Sequence, residues 1–212
     1  MNGRDMTTGG FASSRRIGLL LLGACLLAGT GCVRFGAKPP ARLLTVSAQS
    51  AVPAGQTLVE ANDTALFVDL PAVPRTLATA RVAVRESDTS VAYVKDAVWV
   101  DLPARQFQSL LAETIRARLG RLVLDPGQYL ARRGQMLEGS LSDFGIDAAG
   151  RTAIVTYDAV LMSADGRQVT RRRFSASAPV PTIDADNVAP AINRAANDVA
   201  VAVADWIRTQ GG

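Results

Sequence analysis

Apolar residues follow three patterns along this chain: one continuous block, several alternating runs and two helical stripes. The block runs from Ile17 to Ala28, behind Arg15-Arg16. It is about twelve residues long, short of the ~20 that a membrane-spanning helix needs. A positive flank, an apolar run of this length and the small residues Gly29-Thr30-Gly31 ahead of Cys32 have the make-up of a secretory signal.

The alternating runs predict strands, because side chains of a strand point to opposite faces with period two. Leu43 to Val46 reads as a first strand, residues 47–64 as a loop, and Ala65 to Leu70 as a second strand ended by Pro71. Arg81 to Arg85 alternates charged and apolar residues. With the turn Glu86-Ser87-Asp88 and the run Val91 to Val94 it makes a hairpin. Leu122 to Leu124 is a brief strand. Asp125-Pro126-Gly127 then turns the chain into a short helical piece that stops at Gly134. Residues 135–176 read as a three-stranded meander. Its strands are Met136–Phe144, Thr152–Ser163 and Arg167–Ala176, its first turn is Gly145–Gly150, and Asp165-Gly166 forms its second.

Two segments carry the helical period. Between Pro103 and Leu119, Phe107, Leu110, Leu111, Thr114, Ile115 and Arg118 recur at spacings of three and four, an apolar stripe apart from Thr114 and the terminal Arg118, with Asp101 as the expected N-cap and Gly120 as the stop. After a connector at 177–184, Val188, Ala191, Ile192, Ala195, Val199, Ala202, Val203, Trp206 and Ile207 share one face of a long final helix. Asp186 is its expected cap, and Pro190 falls in or just past its first turn, where a missing N–H costs little. The predicted fold class is α+β, a mixed α/β arrangement with a largely antiparallel sheet and two principal helices packed on it.

The expected layout is a signal segment at 1–31, a tether at 32–40 and one domain at 41–212. A thiol at the first position after a signal cleavage site can carry acyl chains such as palmitate. Cys32 is therefore the candidate lipidation site, and the chain is expected in a bacterial cell envelope, facing the periplasm. Cys25 is a rival: Leu22-Gly23-Ala24-Cys25 has a Leu three residues before the Cys, where Gly29 stands before Cys32. Cutting at Cys25 would leave only about six apolar residues, below the 7–15 usual for a signal. Val33, not Asp, follows Cys32, which by analogy to enterobacterial sorting favours the outer membrane.

Composition narrows the chemistry. Hydrophobic residues make up 48% and charged residues 20% of the chain, ordinary for a globular domain. Loss of Arg4, Arg15, Arg16 and Asp5 with the signal lowers the formal net charge from +4 to +2, so a nucleic-acid partner loses its support. There is no His, and both cysteines lie in or beside the signal. A Ser-His-Asp or Cys-His site cannot be built, nor a disulfide scaffold. Asp143, Asp147 and Asp158 lack the spacing of a Ca²⁺ loop. No catalytic residue, cofactor or metal is therefore expected.

What remains are contact candidates. Trp99 and Trp206 could meet a partner, though large aromatics at these spacings are more often core. Arg171 and Arg173 share one face of a strand and could meet lipid phosphate or an acidic partner, whereas Arg172 faces the other way. A solvated edge strand explains the same run. Arg116, Arg118, Arg132 and Arg133 read likewise.

Tyr93-Val94-Lys95-Asp96-Ala97-Val98-Trp99, followed by Pro103 and Leu110-Leu111-Ala112-Glu113, resembles the signature of the ABC-type transport auxiliary lipoproteins of the paraquat-inducible protein C type. Gly36-Ala37-Lys38-Pro39-Pro40 before Leu43-Leu44-Thr45-Val46, the Leu137–Phe144 strand and the Asp165-Gly166 hairpin extend the resemblance over residues 36–208. It implies a non-enzymatic lipoprotein beside an MCE-domain protein and an ABC permease and ATPase that move phospholipids or related lipids across the envelope. Homo-oligomerisation is open. The alternative is a structural or assembly lipoprotein of the outer membrane with no tie to lipid transport.

Overall fold

A single long strand organises the sheet. In the structure, a computed structural model, residues 43–61, 64–128 and 134–210 are described. The signal segment, the tether, Arg132 and Arg133 lie outside them. Residues 40–212 form one unit. Its elements are β1 (Leu66–Val68), β2 (Arg81–Ser87), β3 (Ser90–Val98), α1 (Pro103–Leu119), β4 (Val123–Leu124), β5 (Gln135–Asp147), β6 (Thr152–Met162), β7 (Val169–Pro179) and α2 (Ala185–Gln210).

One edge of β5 pairs antiparallel with β6 from Met136↔Met162 to Asp147↔Thr152. Its other edge takes two short parallel partners, β1 at its start and β2 at its end. β6 pairs antiparallel with β7, which closes the expected meander as an edge strand. The sheet is mixed, with the longest ladders antiparallel, and both helices pack on it. The fold is α+β.

The turn expected at Gly145–Gly150 starts later, because β5 continues to Asp147. Gly145 lies so close to β2 that a Cβ would collide with the Ala83 carbonyl. The glycine that suggested a turn is there for close approach of two strands. β7 also starts and ends later than read, at Val169 and Pro179.

Burial follows the period. Ala153, Val155, Tyr157, Ala159 and Leu161 of β6 all face the helices and are buried. Eight of the nine positions expected on the inner face of α2 are buried; Ala202 is exposed. The structure adds Ala189, Ala196, Asn197, Ala200 and Ala204, so α2 is covered on more than one side. Small alanines let it sit close to neighbours on each side.

Both predicted caps shift by a residue or two. The N-cap of α1 is Leu102, with no side-chain hydrogen bond, and Asp101 instead accepts the Leu102 N–H at 2.7 Å. Pro103 in the first turn removes one of the donors a cap would serve. Asp184, not Asp186, caps α2, its Oδ1 accepting the Asp186 and Asn187 N–H groups at 3.0 Å each. Gly120 ends α1 in the left-handed region with φ 65°.

The largest departure is the segment after Leu43. The expected first strand reduces to one parallel bridge, Leu44↔Trp99. Beyond it the backbone pairs with side chains in place of a strand. Val46 N–H donates to Gln106 Oε1 (3.1 Å), Ser47 N–H to Asn193 Oδ1, Gln49 N–H to Asn197 Oδ1 and Val52 N–H to Glu113 Oε1 (each 2.8 Å). Asn197, 2% exposed, also donates to the Ser47 carbonyl at 3.0 Å. These side chains come from α1 and α2, so residues 44–52 form a strap across both helices. Four of its N–H groups and one carbonyl are thus satisfied by side-chain amides and a carboxylate.

Candidate functional site

The strap begins at the Leu44↔Trp99 bridge, just before α1, and passes Gln106 and Glu113 of that helix. Farther along the same segment, Glu60 reaches the other end of α1. There the Glu60 carboxylate accepts the Leu122 N–H (2.7 Å) and pairs with Arg121 Nε (3.3 Å). Arg118 in the last turn of α1 pairs with Asp205 near the end of α2 at 2.9 Å, so both helices finish together. Seventeen residues at 1.5 Å rise separate the two ends of α1 by about 25 Å.

At the far end Glu60, Arg118 and Arg121 line a cleft of about 540 Å³, with Asp205 behind it as the partner of Arg118. Arg118, Arg121 and Arg208 are around it, with Leu119 and Ile207 as apolar lining and Thr64, Gln135 and Ala164 completing it. Arg121 also donates to Gln135 Oε1 at 2.6 Å and to the Thr64 carbonyl. Asp205 is shared by Arg118 and Arg208. The Arg118 hydrogen bond, with the charges of both arginines, holds its carboxyl below the usual aspartate range.

Charge decides what this cleft can do. Three guanidiniums face two carboxylates and two helix C-termini, each worth about half a negative charge. The sum is close to neutral. Arg118 and Arg208 serve first as counter-ions to the helix ends, and the cleft offers no strong field to a free anion.

The contact candidates read from the sequence are placed elsewhere. Trp99 is 1% exposed, against Phe144 at 5.6 Å between ring centres, and its indole N–H has no partner among the described residues. It is a core residue and presents no surface to a partner. Trp206 is buried against Phe174 at 5.5 Å. Arg171 and Arg173 do share a face, and both reach Asp158 on β6, at 3.5 and 2.9 Å. The Arg173 hydrogen bond outweighs the effect of burial and draws the Asp158 carboxyl below its ordinary range. The two arginines thus neutralise a buried carboxylate on the open face of the sheet. Cys32 and Cys25 lie outside the described residues.

Two further polar clusters are engaged structurally. Arg85 bridges Asp143 and Asp147 at 3.5 and 3.3 Å. Tyr157 donates its hydroxyl to the Glu138 carbonyl at 3.0 Å, and burial pushes its ionisation far above the usual phenol range. Among the described residues, no three His, Cys, Asp or Glu side chains are grouped to hold a metal, and no helix is long and apolar enough to cross a membrane.

At the near end of α1 the surface is different. Alternation about the Leu44↔Trp99 bridge turns Leu44 and Trp99 inward, at 7% and 1% exposure, and Leu43 and Val100 outward, at 51% and 56%. Leu102, 39% exposed, follows at the helix start. The sequence period missed this pair of ends. The segment that connects them alternates apolar residues at Leu44, Val46 and Ala48 as a strand would, and the sequence does not show that its backbone pairs with side chains of two helices.

The family model described as "ABC-type transport auxiliary lipoprotein component" matches residues 44–204. No curated protein matches the chain. Among solved structures, a Xanthomonas campestris protein of the DUF330 family superposes with a TM-score of 0.67 at 19% identity, over 81% of this chain and 97% of that one. A crystal structure titled only as an uncharacterized protein gives 0.60 at 18% identity, over 77% and 99%. These likenesses are likenesses of fold.

Proposed function

We propose a role in envelope lipid transport for this chain, which belongs to the ABC-type transport auxiliary lipoprotein family. The observation that carries the reading is the family match across residues 44–204, nearly the whole folded unit. In this reading the domain is a non-enzymatic, periplasm-facing part of an MCE-type ABC transporter that moves phospholipids or related lipids. The MCE-domain protein, the permease and the ATPase are separate chains. Acyl chains on Cys32 hold the domain to a membrane, the outer membrane by the residue that follows the cysteine. The Arg15-Arg16 flank, the apolar run and the small residues before Cys32 support the anchor. The near-neutral cleft and the ion-paired Asp158 and Asp205 are in keeping with a docking or positioning role, since these charges are already committed to structural pairs.

A deletion strain tests this. The expected result is phospholipid accumulating in the outer leaflet of the outer membrane, reversed by the wild-type chain and not by Cys32→Ser. A lipid distribution unchanged by the deletion would contradict the role.

A further inference from the structure

We propose that the apolar surface formed by Leu43, Val98, Val100 and Leu102 rests on the bilayer that carries the lipid anchor, and so sets which end of the domain faces the membrane. This goes beyond the transport role and rests on its anchor. Seven large apolar side chains are exposed among the described residues. Leu43 and Val100 flank the Leu44↔Trp99 bridge and Leu102 follows two residues on, while Val59, Leu70, Val91 and Val169 are on separate segments. Exposed apolar residues scattered singly need no explanation, but a cluster marks a contact surface.

The register explains the cluster. Leu44 aligns in parallel with Trp99, so Leu43 aligns with Val98, and these face outward on the same side as Val100. The inward positions are filled by Leu44 and Trp99, which fixes the outward ones. Half-buried Val98 continues the apolar surface toward β2 through its pairing with Arg81.

Chain length selects the occupant. Cys32 and Leu43 are eleven residues apart. Covalent geometry limits their separation to about 40 Å, and a flexible chain of that length averages nearer ~20 Å. The residues just after the tether are therefore held within reach of the surface in which the acyl chains sit. The apolar cluster includes the first described residue after that tether. The far cleft is displaced from it by the length of α1.

Charge is compatible with a headgroup layer. Arg81 lies over the Tyr93 ring at 4.2 Å and pairs in register with Val98. Arg105 is exposed in the first turn of α1. Neither has an ion-pair partner among the described residues, and guanidiniums near a membrane favour anionic lipid. Asp101 is also at this edge, where its carboxylate accepts the Leu102 N–H. The arrangement suits an interfacial contact, with apolar side chains a few ångströms into the headgroup boundary.

The test uses the full chain purified from envelopes into vesicles of phosphatidylethanolamine and phosphatidylglycerol. A fluorescent amino acid replaces Val100, or Arg167 in the turn beside the far cleft, and a quencher is carried on the lipid. Quenching at position 100 is expected to exceed that at 167 at least about threefold, and Leu102→Asp is expected to lower it. Equal quenching at both positions, or stronger quenching at 167, overturns the proposal. Mass spectrometry of the N-terminus on the same sample separates the two readings. Acylated Cys32 with equal quenching sinks the contact surface alone. Unmodified Cys32 with strong quenching at 100 sinks the anchor alone. A chain neither acylated nor quenched sinks both.

Discussion

The two ends of α1 differ in how they meet water. At the near end Leu43, Val100 and Leu102 are exposed over a buried Trp99, with Asp101 and Arg105 beside them. At the far end stand three arginines, each matched to Glu60 or Asp205. One core supports both. The difference teaches that the interior of this fold is ordinary and that its individuality lies in what each end presents. The strap leads away from the near end, held by Gln106 and Glu113 on α1 and by Asn193 and Asn197 on α2.

Breaking the shared core should erase the comparison. Phe107 is fully buried between Phe144 and Tyr157, at 6.4 and 5.2 Å between ring centres. Phe107→Ala should cost about 4 kcal/mol, measured by denaturant unfolding, with both ends melting in one transition. Two separated transitions would show that the ends are independent.

Cutting the strap should be smaller and local. Asn197→Ala removes the acceptor of the Gln49 N–H and a donor to the Ser47 carbonyl. It should cost about 2 kcal/mol and speed hydrogen exchange at residues 47–49 before any change in the sheet. Unchanged exchange there would mean that the side-chain pairing is not what holds the strap.

The far end should respond to acid. Asp205 is ionised in its pair and its carboxyl is lowered below the ordinary range. Its stabilisation is therefore fully present above the unfolded aspartate value of about 3.9 and is lost as pH falls through the lower folded value. Asp205→Asn should cost at most about 1 kcal/mol near neutral pH, because the pair is solvent-exposed. The difference from wild type should shrink below about pH 4. A difference that grows on acidification would contradict this assignment.

The near end should be nearly silent in stability. Val100→Asp should change unfolding free energy by less than about 0.5 kcal/mol, because its side chain is mostly exposed. A larger loss would place Val100 in the core and remove it from the proposed membrane contact.

Much of the sheet and both helices were legible because burial imposed a period. The face of β6 from Ala153 to Leu161 and the α2 stripe from Val188 to Ile207 follow directly from spacing. The strap was not legible. Leu43 to Val46 has strand composition, but only Leu44 finds a β partner, and the amides that satisfy the rest come from residues some 60 to 150 positions away. Gly145 misled for a related reason: the sequence shows a missing side chain but not the strand that needs its space. Of the candidate site, the shared face of Arg171 and Arg173 was readable from alternation. Their common partner Asp158 required the β6–β7 register. Trp99 favours a core position on residue type alone, and its neighbours bear that out.

The central claim is that this domain serves an ABC-type lipid transporter. The most direct test is gentle isolation of the full chain from native envelopes, with mass spectrometry of its N-terminus and of the proteins that accompany it. The account predicts acylated Cys32 together with an MCE-domain protein, a permease and an ATPase. Isolation of the acylated chain with none of these subunits, under conditions that preserve other transporter assemblies, would contradict it.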